Sequence, residues 1–136
     1  MVGIVVVSHS ERAAEGIAEV AAEMAGDTRI EPVGGDGKGG IGTVPDAIEE
    51  AIDAAAGGET DEGGRSDGDG VVVLVDLGSA VMNADVAVEL SDAEAVIADA
   101  PVLEGAVNAA VAATDPSATV ESVREQAEAA RDIEKL

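Results

Sequence analysis

The stretch Val2-Gly3-Ile4-Val5-Val6-Val7-Ser8-His9-Ser10 decides the fold. Residues 2–7 form a nearly unbroken apolar run, mostly β-branched, with no polar residue at alternate positions. A strand of that kind has no solvent face and is buried on both sides, as in a parallel sheet. The run turns polar at Ser8. Ser10 is placed to cap a following helix, with Glu11 in its first turn. A buried strand that passes directly into a capped helix is the first half of a β-α-β unit.

The rest of the chain repeats that unit. Ala13, Ile17, Val20 and Met24 recur at helical spacing and predict one apolar face, and Gly26-Asp27 ends the helix. Residues 29–33 read as a second strand, followed by the glycine-rich loop 34–40. Thr43 then caps, and Pro45 sits near the start of, a helix carrying Ile48, Ala51, Ile52 and Ala55. Residues 71–75 are another buried strand, ending sharply at Asp76-Leu77-Gly78-Ser79. Helices are expected at 80–90, 103–113 and 119–134, the last with Val120, Val123, Ala127 and Ala130 on one side. A short fourth strand is expected at 95–97. Strands alternating with helices imply an α/β fold: an open, mainly parallel sheet covered by helices on both faces. Residues 57–70, GGETDEGGRSDGDG, carry charge and nothing to bury, and read as a surface loop within one domain spanning 1–136. That loop lacks the ligand pattern and closing Glu of a calcium loop.

Composition narrows the partners. The 136 residues are 46% hydrophobic but include no Phe, Tyr or Trp, so the core must be built from Val, Ile, Leu, Met and much Ala. Without aromatics there is no stacking platform for single-stranded nucleic acid. A net charge of −22, from 7 basic against 29 acidic residues, repels phosphate backbones and anionic membranes alike. Such self-repulsion on a small domain largely disappears in molar salt, where the screening length is about 3 Å. The acidity is therefore assigned to a halophilic solvent. There is no cysteine, which excludes disulfides, a thiolate nucleophile and Cys-based zinc sites. The opening run lacks a basic leader and is too short to span a membrane, so a cytoplasmic location is expected.

In a parallel sheet, chemistry gathers at the carboxyl ends of the strands. Three segments meet there: Ser8-His9-Ser10, residues 34–43 and residues 76–79. His9 is the only histidine, and it lies between a strand end and a helix start. A helix N-terminus offers unpaired N–H groups and a positive dipole end, which suit a phosphoryl group bound to the ring. The same dipole disfavours imidazolium, and nucleophilic attack on phosphorus needs a neutral ring. A bland helix-cap role for His9 is the competing reading. Asp76, at the equivalent place after the third strand, can accept from one ring nitrogen and leave the other free, as in catalytic triads. Gly78 and Ser79 offer a backbone donor and a hydroxyl to phosphoryl oxygens, although Ser79 suits an N-cap equally well.

Other chemistries fit poorly. A serine hydrolase would need a G-x-S-x-G elbow, which is missing. The loop Gly35-Asp36-Gly37-Lys38-Gly39-Gly40 matches G-x-G-x-x-G, yet it runs on to Thr43 before a helix begins, unlike a Rossmann turn. Lys38 is followed by Gly39, which excludes a P-loop. A flexible loop near His9 is expected, touching phosphate through the backbone around Gly40 and through Thr43. No sensible metal-ligand cluster is present, so no bound metal is expected.

Four strings in order, VGIVVVSHS, GGDGKGGIGT, VVVLVDLGSAVMNADVA and APVLEGAVNAA, resemble the DhaM family, the phosphotransferase subunits of dihydroxyacetone kinase. That family is similar to the mannose-type IIA domains of the phosphoenolpyruvate-dependent phosphotransferase system. The resemblance runs from Val2 to about Ala113, and the acidic segment 57–70 departs from it, opposite the site. It implies a homodimer in which His9 accepts a phosphoryl group from the carrier HPr. His9 then passes it to ADP on the nucleotide-binding subunit DhaL, where ATP with Mg forms. That ATP phosphorylates dihydroxyacetone on the subunit DhaK. Larger members carry further phosphocarrier domains, so this chain is expected to borrow its donor. No cofactor is expected on this subunit. The competing functions are a mannose- or fructose-type IIA transport component, a regulatory module switched by His9 phosphorylation, and a nucleotide-binding protein using the glycine loop. The Ser-His-Ser start and the DLGSA string favour the kinase branch over the transport component, transfer to ADP on a partner would separate the regulatory module, and direct ADP or NAD binding would mark the third.

Overall fold

The computed structural model describes residues 1–57 and 69–136. Segment 57–70 thus falls mainly outside the described residues. Four parallel strands, β1 (Gly3–Ser8), β2 (Ile30–Gly34), β3 (Val71–Val75) and β4 (Ala95–Ile97), form one sheet in the order β2-β1-β3-β4. β1 is central, with Ile4 opposite Ile30 on one side and Val72 on the other. All six of its residues are buried, as its unbroken apolar run requires.

The helices divide between the two faces because successive side chains of a strand point opposite ways. Val2, Ile4, Val6, Val72 and Leu74 face α1 (Glu11–Ala22), α4 (Val102–Ala113) and α5 (Val120–Glu128). Val5, Val7, Val71 and Val73 face α2 (Pro45–Ala55) and α3 (Val81–Leu90). Without aromatics, both layers are sealed by alanines, which let the helices approach closely. At Gly105 a Cβ would come within 2.7 Å of Leu74 Cδ2 and 2.9 Å of Ala100 Cβ, so α4 seats directly on the sheet.

Three expectations from sequence are corrected. The fully buried face of α1 is Ala14, Ala18 and Ala21; of the predicted residues only Ile17 packs partly against the core, whereas Ala13 is exposed, Val20 is 49% exposed and Met24 56%. The helix period is right and its phase is wrong, because the narrow gap over the sheet takes alanine. The N-cap of α2 is Val44, with Pro45 the first helical residue, so Thr43 does not cap. The last helix stops at Glu128 and tightens into a 3-10 turn over Ala129–Asp132. The Ser10 cap stands as expected, accepting from the Ala13 N–H at 3.2 Å.

This topology positions the site. From β1 the chain crosses to one side, to β2; from β3 it crosses to the other, to β4. The strand order therefore reverses between β1 and β3, and their carboxyl ends flank the crevice where α/β sheets bind ligands. The described ends of the acidic segment lie at the other end of the sheet, where Asp69 pairs with the Met1 amine at 2.6 Å. Among the described residues no helix is long and apolar enough to cross a membrane.

Candidate functional site

His9 and Asp76 stand on either side of that crevice. The Asp76 N–H donates to the Val7 carbonyl at 3.0 Å, carrying the β1–β3 ladder one step past β3 and bringing the carboxylate to the histidine. Its Oδ2 accepts from the Ser8 hydroxyl at 2.9 Å and from the His9 backbone N–H at 3.0 Å. Its Oδ1 faces His9 Nδ1 at 2.9 Å. Both side chains are only 20% exposed. Burial works to raise the Asp76 pKa. The bonds from the His9 backbone, the His9 ring and Ser8, with the charge of His9, outweigh it and hold the carboxylate below its ordinary value.

An ionised carboxylate only accepts, so Nδ1 must carry the hydrogen it donates, and when the ring is neutral its lone pair lies on Nε2. Ser79 Oγ sits 3.0 Å from Nε2 and donates to it in that neutral tautomer. Ser79 therefore does not cap a helix: it lies within the 3-10 turn Gly78–Ala80, and α3 begins at Val81. His9 is thus bracketed, with an anion behind one nitrogen and an exchangeable hydroxyl on the other. Gly78 is exposed, and a Cβ there would meet nothing within 4 Å, so open space adjoins Ser79.

The glycine loop, expected to be flexible, is closed on itself by hydrogen bonds. The Asp36 carboxylate accepts from the N–H groups of Lys38 and Gly40, both at 2.8 Å, and the Asp36 N–H donates to the Gly40 carbonyl at 3.1 Å. The bonds from Lys38 and Gly40 hold the Asp36 pKa below its ordinary value. Positive φ at Gly35, Gly37 and Gly39 makes this winding possible. The loop's far side grips the histidine segment: the Gly42 N–H donates to the His9 carbonyl at 2.8 Å. A Cβ on Gly34 would lie 2.5 Å from the Ser8 carbonyl oxygen, so glycine there permits the approach.

The fold therefore joins His9, Asp76 and Ser79 directly and sets Gly78 beside them. Gly40 is not free to bind: its N–H is taken by Asp36. Thr43 is tied to α3, where the Asn83 amide donates to its hydroxyl at 2.7 Å. Ser8, Asp36 and Asn83 were missed. The Asp-x-Lys-x-Gly spacing of a side-chain-closed turn was a local signal for Asp36. Ser8 and Asn83 act through contacts 68 and 40 residues away in sequence, which no local pattern announces.

Large exposed apolar side chains lie in the segments that carry the site: Ile41 (73% exposed) before Gly42, Leu77 (56%) after Asp76, and Met82 (75%) in the first turn of α3. Among the described residues, Arg12 and Lys38 are the side-chain cations without a hydrogen-bond or ion-pair partner, and both stand in segments at this edge. No group of three His, Cys, Asp or Glu among the described residues could hold a metal ion.

A sequence profile of the PTS system fructose IIA component family matches residues 3–124. The phosphotransferase subunit DhaM of a PTS-dependent dihydroxyacetone kinase from Lactococcus lactis is 36% identical over 126 residues, covering 93% of each chain. A phosphoryl donor subunit DhaM of a PEP-dependent dihydroxyacetone kinase from Listeria innocua is 38% identical over 104 residues, covering 76% of this chain and 75% of that one. The crystal structure of EF1359, described as a protein of unknown function, superposes with a TM-score of 0.75 at 27% identity, covering 93% and 92% of the two chains.

Proposed function

This chain belongs to the PTS system fructose IIA component family, and we propose from that premise that it is the phosphoryl donor subunit of a dihydroxyacetone kinase, working through a phosphohistidine at His9. The observation that supports this reading best is the bracketed imidazole, with Asp76 at Nδ1 and Ser79 at Nε2.

In the reaction so inferred, a phosphohistidine carrier, HPr, docks over the crevice and presents its phosphoryl group. Nε2 attacks phosphorus; the new N–P bond forms as the carrier's N–P bond breaks, and the leaving nitrogen keeps the electron pair. The Ser79 hydroxyl, displaced from Nε2, donates to a phosphoryl oxygen. The ring, now carrying substituents on both nitrogens, gains positive charge that Asp76 stabilises through the Nδ1–H bond. Onward transfer to ADP on the subunit DhaL runs the same motions in reverse, and the ATP formed there phosphorylates dihydroxyacetone on DhaK. This subunit needs no metal or cofactor of its own in that scheme; Mg and the nucleotide belong to its partner. Positioning and charge neutralisation do most of the work in such transfers.

Docking follows from the same surface. A chain at −22 meets its partner through Ile41, Leu77 and Met82, an apolar contact that molar salt does not screen. A homodimer, a cytoplasmic setting and a halophilic host complete this reading. A fructose- or mannose-type transport component would share the His9 chemistry and differ in its acceptor.

The test is phosphorylation in molar potassium chloride by phosphoenolpyruvate, enzyme I and HPr, followed by intact mass and acid lability. One acid-labile phosphoryl group is expected on the native chain and none on His9→Ala. A folded native chain left unmodified sinks the proposal. Transfer onward to ADP on DhaL separates the kinase subunit from the transport component.

A further inference from the structure

Asn83 lies outside the bracketed imidazole, yet it joins the two walls on either side of it. Its side-chain Nδ2 stands 2.7 Å from Thr43 Oγ1 and 3.3 Å from the Thr43 carbonyl oxygen. A carbonyl oxygen only accepts, so the amide must turn its NH2 group toward Thr43 and donate to both atoms. Thr43 closes the loop after β2, and Asn83 lies in the first turn of α3, after β3. Strands β2 and β3 are not neighbours: β1, which carries His9, lies between them. The two strands are therefore separated by about 10 Å, twice the spacing of adjacent strands. The Asn83–Thr43 bond crosses that gap on the α2–α3 side of the sheet. One residue before Thr43, the Gly42 N–H holds the His9 carbonyl. Four residues before Asn83, the Ser79 hydroxyl holds Nε2.

The bond also sets the Thr43 hydroxyl. With a lone pair occupied by the Asn83 N–H, the hydroxyl hydrogen points away from Asn83, and no acceptor takes it among the described residues. Thr43 does not cap α2, so local helix geometry makes no claim on it.

We propose that Asn83 is a positioning residue: it orients the Thr43 hydroxyl as a donor to a phosphoryl oxygen at His9. This rests on the phosphohistidine reading above, and it adds a second oriented hydroxyl to the site.

The test is single-turnover phosphorylation by phosphorylated HPr, at saturating carrier, of the native chain, Asn83→Ala, Thr43→Val, Thr43→Ser and the Asn83→Ala/Thr43→Val pair. Thermal unfolding and the imidazole NMR signals of His9 are recorded for each. Removing one oriented donor lowers such rates by about 10²–10³-fold. Asn83→Ala and Thr43→Val should each do so. The double variant should be no slower than Thr43→Val, since Asn83 acts through that hydroxyl. Thr43→Ser should restore most of the rate, which a purely structural role of the threonine would not require. Should Asn83→Ala fail to fold, the Thr43→Val and Thr43→Ser pair still decides. A folded Thr43→Val chain as fast as native overturns the proposal, as does an Asn83→Ala effect of equal size in the Thr43→Val background. No phosphorylation of the native chain would instead remove the reading on which it rests.

Discussion

Asp76→Asn isolates the role of the carboxylate from its shape. Oδ2 accepts from the His9 backbone N–H, which cannot reverse, and from the Ser8 hydroxyl. Ser8 itself cannot turn round easily, because its oxygen already accepts from the Ser10 N–H at 3.1 Å. The asparagine oxygen must therefore take the Oδ2 position, which puts the NH2 group opposite His9 Nδ1. A donor there demands a lone pair on Nδ1 and moves the ring hydrogen to Nε2, the nitrogen proposed to attack. Restoring the productive tautomer sets N–H against N–H, an unpaired contact worth about 1–3 kcal/mol. The lost anion removes about 1.5–3 kcal/mol of charge-assisted bonding to the phosphorylated ring. Together these slow phosphoryl acceptance by about 10²–10⁴-fold at 1.36 kcal/mol per decade. The two Oδ2 bonds survive, so unfolding free energy should fall by only about 1–2 kcal/mol. Rapid-quench phosphorylation by phosphorylated HPr gives the rate, and long-range 1H–15N correlations of the imidazole give the tautomer. A folded Asp76→Asn chain phosphorylated within a factor of about three of native would refute the reasoning, whichever tautomer it showed.

Further expectations concern stability and docking. Gly34→Ala places a Cβ 2.5 Å from the Ser8 carbonyl oxygen and 2.8 Å from that of Ser10; denaturant unfolding should show a loss of about 1–3 kcal/mol, with His9 signals displaced. The lowered Asp76 pKa means its stabilisation is complete above the ordinary aspartate value and is lost as pH falls through the lowered folded value. Stability in molar salt should therefore slope downward on acidification below about pH 4, more steeply in the native chain than in Asp76→Asn; parallel curves would contradict this. Met82→Glu puts a charge on a side chain 75% exposed. It should raise the KM for HPr at molar salt with unfolding changed by less than about 0.5 kcal/mol, and an unchanged KM would remove Met82 from the docking rim. Native association with HPr should hold or strengthen as salt rises to the molar range, and a steady weakening in titration calorimetry would refute apolar docking.

What the sequence by itself determined was everything written in neighbouring residues. The unbroken run before Ser8 required a strand buried on both faces, and β1 is that strand. Ser10 announced its own cap, and alternation of strand and helix placed His9 and Asp76 at one edge of one sheet. Relatives and profile agree with the family that these strings suggested. The tertiary structure decided what depends on distances between layers and between loops. Alanine gives no size contrast, so the helical period of α1 was legible while its phase was not. The gap over the sheet chose Ala14, Ala18 and Ala21 and left Val20 and Met24 outside. Ser79 looked like a cap by local rules, but the register of β1 against β3 brings His9 Nε2 to its hydroxyl first. Thr43 looked like another, and Asn83 claims it from across the sheet. Caps and turns are settled over three or four residues, where the chain's own geometry limits the choices. A bond between residues 40 or 70 apart exists only once the packed layers have fixed where both ends stand.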